Sequence, residues 1–403
     1  MKDGAKIPET GTCMFRSVFN KQNLKNIDWL MMGIVLMIVL FGFIAVTNAT
    51  STIDVGEDAT FWEVIQSLNF STSGMQLVFF LIGVVAIAIL LLVDYNNLRD
   101  FSNIIYWCSV ALLLAVLLFG DNNRGVTGWF TIGGFGFQPA ELCKVAIIIV
   151  LAKEFAKITE GKPDGITKFR ELLPIVWRFI IPMVLIMLQP DWGTAIVYMF
   201  ILVGLMFMAK TSLKIMGICA LAFLAMLPIA WLIMEPWQRQ RIRIFLDPSL
   251  DTTGVGDGMQ VSRSKIVASS GGITGKGLFN EDLLTQRSNY LPEQQTDFIF
   301  SSTTEAVGFI GALVLILLYM FLVFRMVQLS LRAKDNFGAY IILGVSFMLM
   351  FHIFENIGMN IGIMPVTGIP LPMVSAGGSN MLTTMIAIGL VLNVNMRSAR
   401  RSI

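Results

Sequence analysis

The sequence predicts an all-α polytopic integral membrane protein with about ten transmembrane helices and a large extracytoplasmic loop between helices 7 and 8. Three observations carry that expectation. The 403-residue chain is 55% hydrophobic and only 14% charged, whereas a soluble domain carries roughly a quarter charged residues. Ten apolar windows are each near the length of about 20 residues that a bilayer core requires. The connections between those windows alternate in charge. The mean hydropathy is +0.73. The net charge of +2 says little, because in a membrane protein the placement of charge matters more than its sum. No nucleic-acid partner is expected.

The windows fall at roughly 28–48, 73–93, 102–119, 139–155, 174–189, 193–209, 214–234, 303–324, 338–358 and 381–396. The fifth and sixth are short, and Gln189-Pro190-Asp191-Trp192 between them favours a tight turn over one bent helix. Lys2, Lys6, Arg16, Lys21 and Lys25 mark the N-terminal tail. Arg99, then Lys157 to Arg170, then Lys210 and Lys214, then Arg325 to Lys334 mark every second connection, and Arg397, Arg400 and Arg401 the C-terminal tail. With ten spans all of these fall on one side. The first outward loop holds Asp54, Glu57, Asp58 and Glu63 with no Lys or Arg. The pattern places both termini in the cytoplasm. It divides the chain into a tail over 1–27, a ten-helix membrane domain over 28–396 and a second tail over 397–403. The first apolar run is too long for a cleavable signal and is expected to stay as a helix. Cys13, Cys108, Cys143 and Cys219 have no metal-ligand spacing and read as unpaired packing residues. No internal repeat is evident.

The outward loop, 235–302, breaks the charge pattern with Arg239, Arg241, Arg243, Arg263, Lys265, Lys276 and Arg287. Two readings stand. The basic groups pair with the loop's own acids, or they form a site for an anionic ligand at the outer surface. Gln238-Arg239-Gln240-Arg241-Ile242-Arg243 sets three guanidinium groups directly after a helix, and their planar donor forks suit phosphate oxygens. Ser269-Ser270-Gly271-Gly272-Ile273-Thr274-Gly275-Lys276-Gly277 would let backbone N–H groups approach an anion, although it lacks P-loop spacing.

Charged residues inside apolar helices are costly and usually pair or line a cavity. Glu141 and Lys144, three residues apart, share one face of the fourth helix: they either fix packing as an ion pair or line a pocket that opens outward. The loop from Arg124 to Phe137, and Gln138-Pro139, lead into that pair and favour the pocket. Asp297 opens the eighth helix among apolar neighbours. Desolvation would raise its pKa toward that of a general base, while the helix macrodipole would lower it. Glu305 follows on nearly the same face. Asp191 caps the short sixth helix. His352, the lone histidine, and Glu355 are spaced to pair within the ninth helix. Met364-Pro365-Val366-Thr367-Gly368-Ile369-Pro370-Leu371-Pro372 cannot be regular helix with three prolines. It is expected to re-enter and wall the pocket.

Taken together, these residues resemble the SEDS family of peptidoglycan polymerases, whose branches include the rod-shape, division and sporulation proteins RodA, FtsW and SpoVE. The likeness runs from about Trp129 to Arg397. It rests on Phe137-Gln138-Pro139-Ala140-Glu141-Leu142-Cys143-Lys144, Gln189-Pro190-Asp191-Trp192-Gly193-Thr194, Gln238-Arg239-Gln240-Arg241, Asp247-Pro248, Leu291-Pro292-Glu293 with Thr296-Asp297-Phe298-Ile299-Phe300, and Thr367-Gly368-Ile369-Pro370-Leu371-Pro372. Gly368 makes the last motif most like the rod-shape branch. The chain departs from the family pattern at Gly128, Ala306, Ala376 and between Thr252 and Gln260.

The resemblance implies glycosyl transfer between lipid II molecules at the outer face of the cytoplasmic membrane, with undecaprenyl pyrophosphate as the leaving group. It implies Asp297 as the essential acidic residue, whose carboxylate acts as the base that deprotonates the acceptor hydroxyl. Glu141 and Lys144 would line the pocket, Arg239, Arg241, Lys265 and Lys276 would meet the pyrophosphate, and Trp129, Glu293 and Asp191 would complete the substrate-binding set. A divalent cation (Mg or Mn) would help with the charge, although the sequence shows no dedicated cage. The implied partner is a class B penicillin-binding protein, a single-span transpeptidase. The role implied is cell-wall elongation and shape, with a septal or sporulation member of the same family as an alternative. Two rivals of other classes remain at this point: a lipid II flippase, which needs neither a base at the outer interface nor a long structured loop, and a non-catalytic scaffold, in which Asp297 would be freely replaceable.

Overall fold

The computed structural model describes residues 26–51, 67–123, 126–132, 135–251, 257–286 and 290–398. The basic tail before residue 26, the acidic loop with Asp54 to Glu63, Arg124, the segment 252–256, Arg287, Arg400 and Arg401 lie outside the described residues.

Every apolar window falls on a helix. In chain order these are α1 (Trp29–Thr50), α2 (Ser71–Leu92), α3 (Tyr95–Phe119), α4 (Pro139–Thr159), α5 (Leu173–Leu188), α6 (Trp192–Met208) and α7 (Leu213–Ile233). After two shorter helices, α8 (Pro236–Leu246) and α9 (Asp257–Ser270), come α10 (Ile299–Leu331), α11 (Asn336–Ile361) and α12 (Gly378–Ser398). Among the described residues, eight segments are long and apolar enough to cross a membrane. Of the other two windows, α6 is apolar but only 17 residues long, and α4 carries Glu141, Lys144, Lys153, Glu154 and Lys157. The molecule is a polytopic, helical membrane protein.

Helix starts follow local chemistry. Asp28, Asp94, Asp191 and Asp335 each stand at an N-cap and accept a backbone N–H of the first turn, satisfying a donor that the helix itself leaves unpaired. Pro139 and Pro236 occupy first-turn positions, where the missing N–H costs nothing. The tetrad 189–192 is a turn between two helices, with α5 ending at Leu188 and α6 starting at Trp192.

α11 sits at the centre of the bundle, packed against α4, α6 and α10, while α12 lies along α2 and α1 along α10. Phe155, Tyr198, Phe337 and Ile148 are among the fully buried side chains there. α7 differs: Ile215 is its one buried residue, and a helix apolar on all sides is at home in lipid. Between α10 and α11 an apolar surface groove of about 550 Å³ is lined by Met320 and Phe324 of one and Phe354 and Ile361 of the other. Ion pairs stitch helices where charges meet: Arg178 to Glu154 at 2.9 Å joins α5 to α4, and Arg325 to Asp28 at 2.6 Å joins α10 to the α1 cap.

Two features depart from the sequence-based expectation. The all-α description omits a small antiparallel sheet, β1 (Asp121–Asn123), β2 (Val126–Ile132) and β3 (Phe135–Phe137), in which Asp121 pairs with Trp129 and Thr131 with Gly136. β1 and β3 have three residues each, and the seven of β2 do not alternate cleanly between apolar and polar. In addition, α10 begins at Ile299, four residues before the expected window, and breaks at Gly308 (φ 70°, ψ −175°). The glycine-rich segment after α9 fits into that break. Lys276 and Gly277 N–H donate to the Glu305 and Ala306 carbonyls, and Phe309 and Ile310 N–H donate to the Gly272 and Ile273 carbonyls. The broken ladder is thereby completed by another segment.

Candidate active site

A cleft of about 710 Å³ opens at the end of the bundle where α4, α6, α10 and α12 begin. Its polar lining includes Trp129, Gln138, Glu141, Asp191, Arg241, Glu293, Asp297, Thr367, Ser379 and Asn380.

Asp297 lies in a turn over 292–298, two residues before α10. The turn is held from two sides. The Asp297 carbonyl accepts the side-chain amides of Asn356 and Asn360, each at 2.9 Å. The Thr296 carbonyl accepts the Ser375 hydroxyl at 2.6 Å, and the Gln295 carbonyl accepts the Ala376 N–H at 2.8 Å. Within the turn, the Thr296 hydroxyl donates to Glu293 at 3.0 Å. Asp297 Oδ2 faces the opposite wall, 3.6 Å from where a side chain at Gly368 would begin.

That wall is the proline-rich segment. It is irregular from Met364 to Gly377, and Val366 to Pro370 line the cleft. Its deeper carbonyls are covered by protein: Gln76 of α2 donates to Met373 and Val374 at 3.2 and 3.3 Å, and the Tyr319 hydroxyl of α10 donates to Pro372. Non-helical backbone at this depth requires such donors.

Glu141 projects from the first turn of α4 into the cleft, and Lys144 lies behind it. The ammonium donates to Glu141 Oε1 at 2.5 Å and meets His352 Nε2 at 2.9 Å. Since an ammonium only donates, Nε2 accepts, and the ring proton sits on Nδ1, which donates to the Met348 carbonyl at 2.7 Å. Lys144 is 1% exposed and does not line the cleft. His352 thus bonds Lys144 in place of the expected Glu355, while Glu355 accepts the Thr367 hydroxyl at 2.8 Å. His352 and Glu355 are spaced to pair, but their tertiary partners lie nearer.

Asp191 accepts the Thr194 N–H at 3.0 Å and the Gln138 amide at 2.9 Å. Burial pushes its carboxyl above the usual range, while the Thr194 bonds oppose this. Just after α8, the Ser249 hydroxyl and N–H hold the Asp247 carboxyl below the usual range.

The basic residues separate. Arg241 lines the cleft, 4.9 Å over the Trp237 ring, with a donor 3.4 Å from the Val366 carbonyl. Arg239 turns back on the end of α7 and donates to the Met234 and Leu232 carbonyls at 2.9 and 3.2 Å. Lys265 runs over Gly362 at the end of α11. Lys276 bonds Glu305 at 2.7 Å. Contrary to expectation, Arg239, Lys265 and Lys276 do not line the cleft. Glu305 is fully buried and also accepts the Ser270 hydroxyl, the Leu284 and Thr285 N–H groups and the Thr285 hydroxyl. The segment over 269–277, for which an anion site was one of two readings, is a clasp: its N–H groups at 276 and 277 are already donated to α10.

Trp237, Asn380 and the Asn356–Asn360 pair were not singled out by the sequence. For the pair a signal existed: two asparagines four apart in an apolar helix lie on one face and demand partners. No group of three or more His, Cys, Asp or Glu residues suited to a metal ion occurs among the described residues.

The FTSW_RODA_SPOVE family model, described as cell cycle protein, matches residues 28–400. The chain is 32% identical to the peptidoglycan glycosyltransferase MrdB of Escherichia coli (strain K12), over 78% of this chain and 82% of that protein. It is 33% identical to the stage V sporulation protein E of Bacillus subtilis (strain 168), over 92% and 97%. Among solved structures, a chain of a peptidoglycan synthase complex superposes with a TM-score of 0.73 at 28% identity, over 93% of this chain and 99% of that one. The rod shape determining protein RodA of Thermus thermophilus superposes with a TM-score of 0.65 at 25% identity, over 92% and 96%.

Proposed function

Because the chain belongs to the FtsW, RodA and SpoVE family of cell cycle proteins, we propose that it is a peptidoglycan glycosyltransferase that polymerises lipid II for wall elongation and cell shape. The observation that carries this reading is the placement of Asp297 and Arg241, 56 residues apart, in the lining of one cleft where the polar loops meet the apolar bundle. A lipid-linked sugar needs that junction, because its polyprenyl chain stays in the bilayer while its pyrophosphate and sugars reach water.

In this reading Asp297 accepts the proton of the acceptor hydroxyl as that oxygen attacks the anomeric carbon of the donor sugar. The bond from that carbon to the phosphate oxygen breaks, and undecaprenyl pyrophosphate leaves with the electron pair. Negative charge grows on the leaving group, and a fixed cation lowers that barrier. Arg241 fills the role, while Arg239, Lys265 and Lys276 serve the loop's own structure. Glu141, held by Lys144, and Asp191, Glu293 and Trp129 present hydrogen-bonding and stacking surfaces to the sugars and peptide.

A divalent cation fits the same cleft without a protein cage. Mg²⁺ is commonly held by one or two carboxylates together with substrate phosphates, and Asp297 and Glu293 are the acids of the turn that lines the cleft. Bound there, it would offset pyrophosphate charge. The proposed partner is a class B penicillin-binding protein, and the groove between α10 and α11 suits its single apolar helix.

The test is lipid II polymerisation by the purified chain, co-purified with its transpeptidase partner, beside Asp297→Ala. Glycan strands from the wild type and none from the folded variant are expected. Equal polymer from both removes Asp297 from the chemistry, and no polymer from either brings the flippase reading forward. A parallel lane with chelator reads the cation: polymer lost and restored by Mg²⁺ or Mn²⁺ supports it, and unchanged polymer removes it.

A further inference from the structure

We infer that Asn356 and Asn360 of α11 are positioning residues for the transfer reaction, acting through Asp297; this rests on the reading of Asp297 as the base. Both asparagines are fully buried. Asn356 spends its two amide hydrogens on different walls of the cleft, the Asp297 carbonyl and the Ile369 carbonyl, each at 2.9 Å. One planar group thus sets how far the Asp297 turn stands from the segment that carries Thr367 and Gly368. Asn360 adds a second donor to the Asp297 carbonyl, and its own Oδ1 accepts the Ser301 N–H at 3.0 Å, in the first turn of α10.

The consequence is geometric. Asp297 precedes the helix and lacks a helical ladder to fix its dihedrals. Two donors on its carbonyl restrain the peptide plane that follows its Cα, and so the direction in which the carboxylate points. Aim matters because general-base catalysis needs the carboxylate within hydrogen-bond reach of the acceptor hydroxyl. A displacement of about 1 Å in a reacting group can cost on the order of 100-fold in rate. Neither asparagine lines the cleft, so substrate affinity does not depend on them directly.

The experiment compares steady-state lipid II polymerisation and thermal melting of the full chain and its variants. Asn356→Asp keeps the side chain's size but leaves at most one donor, the O–H of a neutral carboxyl, in place of two, and Asn360→Ala removes one of the two on Asp297. Asn393→Ala is the control: that buried asparagine bridges the Leu90 and Val93 carbonyls, away from the cleft. The expected result is kcat lowered about 10- to 100-fold in Asn356→Asp, less in Asn360→Ala, with KM for lipid II held in both and with kcat unchanged in Asn393→Ala at a comparable melting loss. Wild-type kcat in both α11 variants, with Asp297→Ala inactive, overturns the inference and leaves the base assignment standing. So does an equal kcat loss in Asn393→Ala. Activity in Asp297→Ala overturns both. If Asn356→Asp does not fold, Asn360→Ala alone decides.

Discussion

Lys144 shows what one residue can cost. Its ammonium is buried with two partners, Glu141 and His352, and no water-facing atom relieves it. Removing one member of such a pair leaves the other charge uncompensated, at about 3–5 kcal/mol. Lys144→Met is therefore expected to lower the melting temperature sharply in detergent. Glu141→Gln with Lys144→Met should recover much of the loss, since no bare charge then remains. A double variant no more stable than the single one would mean that the pair's attraction, not the orphaned carboxylate, sets the cost. The pairing of Glu141 with Lys144 was legible from their spacing of three. The third member was not, because His352 lies 208 residues away on another helix.

At the scale of the element, the break in α10 and the loop that fills it form one unit. A side chain at Gly308 would begin 2.2 Å from the Gly275 nitrogen, at a φ of +70° with extended ψ. That backbone region is essentially reserved for glycine, and strain of this kind costs about 1–3 kcal/mol before any clash is counted. Gly308→Ala is expected to destabilise the protein and loosen the clasp around Glu305. Gly33→Ala, where nothing lies within 4 Å, is expected to be neutral or slightly stabilising. Similar melting of the two variants would show that the loop does not depend on close approach at the break. Hydropathy marked α10 as one apolar run but could not show the break, because a glycine in such a run ordinarily continues the helix. The glycines of 271–277 advertised a close backbone approach. What approaches is the α10 backbone rather than an anion.

For the whole molecule, the charge pattern assigns sides: both termini and the basic connections to the cytoplasm, and the cleft with 235–298 to the exterior. We propose that orientation, and surface labelling checks it. In a background lacking Cys13, Cys108, Cys143 and Cys219, Ser249→Cys should react with an impermeant maleimide in intact spheroplasts. Asp164→Cys should react only after permeabilisation; both positions are exposed. The reverse pattern would invert the molecule and move the cleft to the cytoplasmic side.

The apolar windows that become helices, the aspartates that cap some of them and the charges set within them are local properties. Apolar length, an aspartate before a helix and a charge within an apolar run each carry their free-energy consequence wherever the chain goes, so the sequence alone determined them. Which cation serves the cleft was a different kind of question. Arg239, Arg241, Lys265 and Lys276 are alike in charge, and only the packing of α8 against α9, and of α9 against α10 and α11, decides that Arg241 faces the cleft while the others bond carbonyls, overlie a glycine or neutralise Glu305. The same holds for the asparagine clamp on Asp297. A hydrogen bond depends on positions set to within a few tenths of an ångström by every helix in the bundle, and no window of sequence contains that information.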